Sequence, residues 1–179
     1  FQGSSVEVTA TSNCLVGISW NDKVSSIKIL TNGAANLNGT YYLQNRNSGL
    51  YMDVTGGLGA TNDGANVQQY NLLNNANQQF AFTHLINGAY RILSVLSQKS
   101  LDVQDVSLVD GGNIQQWTDY SANNQQFIAV STGNGYYKLV AKHSGKIVEV
   151  AGASTAIEAN VQQRTNNNQT CGQWKLIPL

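Results

Sequence analysis

Charge is scarce in this sequence. Only 11% of its 179 residues are Asp, Glu, Lys or Arg, ten acidic against ten basic, so the formal net charge is zero. A neutral chain without basic clusters offers no electrostatic footprint to a polyanion, which argues against nucleic acid and anionic membrane surfaces as partners. Long apolar runs are missing too: none approaches the ~18 residues of a membrane-spanning helix. Proline occurs once and no segment keeps a 3.6-residue apolar period over ten positions, which excludes helical repeats. Two cysteines, Cys14 and Cys171, are too few for a disulfide framework; one bridge between them, or two buried thiols, both remain open. Catalytic and metal signatures are lacking: His84 and His143 have no Cys or Asp at productive spacing, and there is no Gly-x-Ser-x-Gly. No signal peptide precedes Phe1, which is not a natural start, so the chain reads as a piece of a larger protein.

What is present is a repeat. Asn77-Gln78-Gln79-Phe80 returns as Asn124-Gln125-Gln126-Phe127, and a degraded third copy ends at Trp174, each step being 47 residues. Val67-Gln68-Gln69-Tyr70, Ile114-Gln115-Gln116-Trp117 and Val161-Gln162-Gln163-Arg164 keep the same step. A fixed period of this size decides architecture before any local reading does. The repeats run 39–85, 86–132 and 133–179, each with four short strands rich in Val, Ile, Leu and aromatics, bounded by Gly, Asn and Ser turns. Twelve strands in three copies share one core only if they close around an axis, because an open stack leaves exposed edges. The expected fold is therefore all-β: a three-fold barrel capped by hairpins, a β-trefoil. Residues 31–38, with Asn32-Gly33 and Ala34-Ala35, read as a linker, and residues 1–30 as a β-rich remnant of a preceding domain.

Three repeats, each with an Asp-Val-type strand, a Gln-x-aromatic strand and a closing Gln-x-Trp/Phe, resemble the ricin B-type lectin family, also carbohydrate-binding module family 13. The resemblance covers residues 39–179. It implies one shallow sugar site per repeat, in which an Asp accepts hydrogen bonds from vicinal hydroxyls, a ring stacks on the C–H face of the sugar, and amides complete the rim. Carried over, the first repeat offers Asp53, Gln68, Tyr70, Asn77 and Gln78. The second offers Asp102, Gln115, Trp117, Asn124 and Gln125, with Tyr120 on its rim. In both, Gln78 and Gln125 have the alternative of bonding backbone, while Phe80 and Phe127 belong to the core. The third repeat departs from the pattern, with Glu149 beside Gln162, Arg164 at the ring position and Cys171-Gly172 for Asn-Gln. An arginine opposite a longer carboxylate predicts an ion pair across an abandoned pocket.

The resemblance also implies a secreted, monomeric, non-catalytic module that holds galactose-containing polysaccharide, such as galactan or arabinogalactan, for a glycoside hydrolase on the same polypeptide. A free-standing galactose lectin, or a module for xylan or arabinan, is the alternative. A glycosidase needs two carboxylates about 5–10 Å apart around one bond, whereas Asp53 and Asp102 belong to different repeats. No cofactor is expected. At the N-terminus, Phe1-Gln2-Gly3 and Trp20-Asn21-Asp22-Lys23-Val24-Ser25-Ser26 resemble part of a βγ-crystallin Greek-key motif. That motif makes Asn21, Asp22 and Ser26 a half-site for calcium, an ion that takes oxygen ligands only.

Overall fold

The computed structural model describes residues 36–179. The β-rich remnant, the calcium half-site at Asn21, Asp22 and Ser26, and Cys14 lie outside the described residues. The segment read as a linker is anchored by its end: Leu37 is buried in the core and its N–H donates to the Tyr90 hydroxyl at 3.3 Å.

Twelve strands follow in chain order. The first repeat contributes β1 (Gly39–Asn45), β2 (Tyr51–Val54), β3 (Val67–Tyr70) and β4 (Gln79–His84). The second contributes β5 (Tyr90–Ser94), β6 (Ser100–Val103), β7 (Ile114–Trp117) and β8 (Gln126–Gly133). The third contributes β9 (Tyr136–Ala141), β10 (Ile147–Val150), β11 (Val161–Arg164) and β12 (Trp174–Pro178). Helix among the described residues is limited to single 3₁₀ turns of three residues.

Antiparallel pairing runs β1–β4–β5–β8–β9–β12 and back to β1, a closed six-stranded barrel with no free edge. Hairpins β2–β3, β6–β7 and β10–β11 cap it. Each hangs from the barrel by one residue pair: Gln44 with Tyr51, Leu93 with Ser100, Val140 with Ile147. This is the β-trefoil that the repeat requires.

The core is filled in threes. Leu43, Ile92 and Leu139 come from β1, β5 and β9; Phe80, Phe127 and Trp174 come from β4, β8 and β12. Val67, Ile114 and Val161 enter from the caps with Val54, Val103 and Val150. Each such side chain contributes roughly 1.5–3 kcal/mol on full burial. Trp174 needs one polar partner and finds it, its Nε1 donating to the Val148 carbonyl at 2.9 Å.

Two polar sets that sequence reading passed over lock the caps together. Asn113 Nδ2 donates to Asn66 Oδ1 (3.0 Å), Asn66 Nδ2 to Asn160 Oδ1 (2.9 Å), and Asn160 Nδ2 to Asn113 Oδ1 (3.0 Å), a closed ring of amides. The second glutamine of each Gln-Gln pair is buried and clamps a loop of another repeat. Gln69 Nε2 donates to the carbonyls of Ser154 and Ala156, Gln116 to those of Ala60 and Asn62, and Gln163 to those of Ser107 and Val109.

Candidate functional site

The cap hairpins bring the predicted polar residues together by register. Asp53 pairs across the strands with Gln68, Asp102 with Gln115, and Glu149 with Gln162. In the first repeat Gln68 Nε2 donates to Asp53 Oδ1 at 3.0 Å and Asn77 Nδ2 to Asp53 Oδ2 at 2.9 Å. In the second, Gln115 Nε2 reaches Asp102 Oδ1 at 3.0 Å and Asn124 Nδ2 reaches Oδ2 at 2.8 Å. The remaining proton of each asparagine amide goes to the carbonyl of Val54 or Val103 at 3.0 Å. The two constellations match although the first repeat has a longer loop: Asp53 stands 15 residues before Gln68, Asp102 13 before Gln115.

Both aspartates are only 4% exposed, and no Lys or Arg among the described residues pairs with them. Burial lifts both carboxyls above the ordinary aspartate range, and the hydrogen bonds from the neighbouring Gln and Asn amides offset part of that rise. One lone-pair side of each oxygen is committed to an amide. The unmatched polar atom beside Asp53 is Asn77 Oδ1, buried without a hydrogen-bond partner.

Gln78 and Gln125 are buried beside the aspartates and bond the backbone of a loop, and Gln125 also lines the Trp117 cleft. Gln78 is fully buried, accepting from the Leu73 N–H (2.8 Å) and donating to the Asn71 carbonyl (2.7 Å). Gln125 does the same with the Tyr120 N–H (2.9 Å) and the Thr118 carbonyl (3.0 Å). They hold the loop that follows the ring-bearing strand. The loop backbone has unpaired polar groups at this point, and a glutamine amide satisfies one donor and one acceptor at once.

The rings differ between repeats. Trp117, at the end of β7, is 37% exposed, and Tyr120 is 71% exposed. With Asp102, Gln115 and Asn124 they line an open cleft of about 390 Å³. Gly64, on a loop of the first repeat, backs this ring, because a Cβ there would lie 3.6 Å from Trp117 Cζ3. Tyr70 closes β3 at the matching place and is half-buried. Gln104, Asp105 and Val106 also line the Trp117 cleft, and sequence reading missed them. The signal for two of them is that Asp105-Val106 stand where the other repeats have Gly56-Gly57 and Gly152-Ala153. A larger hollow of about 490 Å³ lies next door, lined by polar loop residues around Asn113 and without an aromatic platform.

The third constellation is rebuilt. Glu149 is 1% exposed; its Oε1 accepts from Gln162 at 3.1 Å, with Arg164 Nη1 at 4.0 Å, and its Oε2 faces the Cys171 thiol at 3.6 Å. Cys171 is a free, buried thiol whose pKa is raised by burial and then by the Glu149 charge. Among the described residues no His, Cys, Asp and Glu side chains gather into a metal-binding cluster.

A family model described as ricin-type β-trefoil lectin domain-like matches residues 28–117 and 123–179. The chain belongs to this family. Among solved structures, this lectin-type trefoil is similar to the designed three-fold symmetric protein ThreeFoil, with a TM-score of 0.76 and 42% identity over 79% of this chain and all of that one. It is also similar to 1,3Gal43A, an exo-β-1,3-galactanase from Clostridium thermocellum, with a TM-score of 0.74 and 32% identity over 79% of this chain and 30% of that one. A Macrolepiota procera ricin B-like lectin in complex with lactose shares the fold at a TM-score of 0.67 and 16% identity, over 79% of this chain and 96% of that one. The clotting factor G alpha subunit of Tachypleus tridentatus is 48% identical over 60 residues, 34% of this chain. The match spans 9% of that protein's length.

Proposed function

We propose that residues 37–179 bind carbohydrate without transforming it, at one shallow site in each of the first two repeats. The observation that carries this reading is Asp102: a carboxylate buried among amides, with no Lys or Arg among the described residues paired to it, beside a half-exposed Trp117 in an open cleft. Such a charge works against folding in the free protein, a cost that a role in binding a ligand accounts for. Vicinal hydroxyls donate to the carboxylate, and the indole covers the apolar face of the same pyranose. Asp53 with Tyr70 repeats the arrangement, whereas Arg164 and Cys171 leave the third repeat silent.

Single shallow sites of this kind bind in the micromolar-to-millimolar range, so useful retention comes from two sites on one polymer. We read the ligand as a galactose-containing polysaccharide, supported by the 32% identity to part of an exo-β-1,3-galactanase. The same likeness supports a secreted module carried by a glycoside hydrolase. Affinity electrophoresis in gels containing β-1,3-galactan, arabinogalactan, xylan or arabinan tests this. Galactan should retard the protein most; Trp117→Ala should weaken retention about tenfold, near 1.4 kcal/mol, and Asp53→Ala with Asp102→Ala should remove it. Retention that survives the double change refutes the site assignment, and turnover of an oligosaccharide refutes the non-catalytic reading.

A further inference from the structure

The second repeat puts larger side chains on a backbone turn that the other two fill with Gly and Ala. After β6 the chain sets Asp105 and Val106 in successive left-handed conformations, φ 55° and 52°. The first and third repeats make the same turn with Gly56-Gly57 and Gly152-Ala153. Glycine adopts such angles freely, whereas a β-branched residue there is a genuine outlier. Core packing does not account for it, since Val106 is 56% exposed and lies outside the core. Ala153 shares the left-handed angle in the third repeat, but only the second repeat places a β-branched side chain there, and that calls for a reason local to the repeat.

The reason lies in what the two residues border. Asp105 and Val106 wall the Trp117 cleft. Gln104 and Asp105 also wall the adjoining hollow of about 490 Å³, whose lining includes Val109 and Asn113. A single ridge, Gln104-Asp105, thus separates two open depressions. It presents a carboxylate and an amide, with exposed apolar Val106 on one side and Val109 on the other. Carboxylate, amide and apolar surface within a few residues is the mixture that suits a second pyranose. Asp110, on the far rim, is already engaged by Lys146 and Thr165, and Asp102 by Gln115 and Asn124, so Asp105 is the carboxylate of the two hollows without a partner among the described residues.

Resting on the carbohydrate reading above, we infer that the second repeat binds a chain of at least two sugar units. One lies against Trp117 and Asp102, and the next crosses the Gln104-Asp105 ridge into the adjoining hollow. The first repeat, with Gly56-Gly57 at the ridge, takes a single unit.

The test isolates the second site with Asp53→Ala and measures calorimetric affinity for two pairs of probes, galactose with β-1,3-galactotriose and xylose with xylotriose. For the pair that binds, the trisaccharide should be at least tenfold tighter than the monosaccharide. Adding Asp105→Gly and Val106→Gly, the residues of the first repeat, should bring that ratio to within twofold. The thermal midpoint should hold or rise as strain is relieved, which excludes misfolding as the cause. A ratio near one before the glycine changes, or a high ratio that survives them, overturns the inference while leaving the lectin reading intact. Failure of all four sugars to bind overturns both.

Discussion

Asp102 has to remain charged while almost sealed from water, and that tension gives the site its pH dependence. Burial raises the folded-state pKa of Asp53 and Asp102 above the unfolded value of about 3.9. The folded protein therefore holds these protons more tightly, and the two groups favour folding progressively as pH falls through their raised values. Sugar acceptance changes in the opposite direction, because a protonated carboxyl has lost an acceptor. Retention on galactan should thus fall at a pH above the ordinary aspartate range, without a loss of thermal midpoint from these two residues; parallel affinity gels and melting curves between pH 3.5 and 7 check it. Asp110 has the reverse sign. Lys146 first, with Thr165, lowers its pKa to about 2, so the stability it adds is present above about 3.9 and is lost as pH falls towards 2.

At the level of the element, one hairpin makes one pocket, and a few positions decide whether it is open. In the third hairpin Arg164 and Cys171 occupy the places of Trp117 and Asn124 around Glu149. Combining Glu149→Asp, Arg164→Trp and Cys171→Asn should rebuild the constellation and raise calorimetric stoichiometry from two sugars per chain to three. The loops tolerate less. A Cβ on Gly112 would lie 2.8 Å from both Gln163 Nε2 and Ser107 Oγ, within the clamp that joins the second and third repeats. Gly112→Ala should therefore cost about 1–3 kcal/mol in chemical denaturation. Gln68 and Gln115, Tyr70 and Trp117, and Asn77 and Asn124 were legible in the sequence because each pair keeps the 47-residue step, and Asp53 and Asp102 lie on the strand just before. Gln69, Gln116 and Gln163 were not: a Gln-Gln pair reads as polar surface, and the second member is buried only because carbonyls of another repeat satisfy it. Gln78 and Gln125 split on the same principle, their loop partners being invisible to periodicity. Leu37 looked like linker because a lone apolar residue carries no pattern.

For the whole molecule, the amide ring of Asn66, Asn113 and Asn160 makes the three caps one object. Asn113→Ala leaves a donor on Asn160 and an acceptor on Asn66 short of partners, and should destabilise by about 1–2 kcal/mol given the half-buried position. Adding Asn66→Ala should cost clearly less than it does alone, because the ring is already broken; a double-mutant cycle in urea measures the difference. The barrel is closed in the same way, since β1 runs along β12 from Tyr41 opposite Pro178 to Asn45 opposite Trp174. A linear array of repeats frays from its outermost copies, which have one neighbour instead of two. Here every repeat has two neighbours, so a protease finds no end copy to peel away. The core amides of all three repeats should exchange with solvent at one common, global rate, and trimming any single repeat should release the other two as unfolded chain rather than as a smaller lectin.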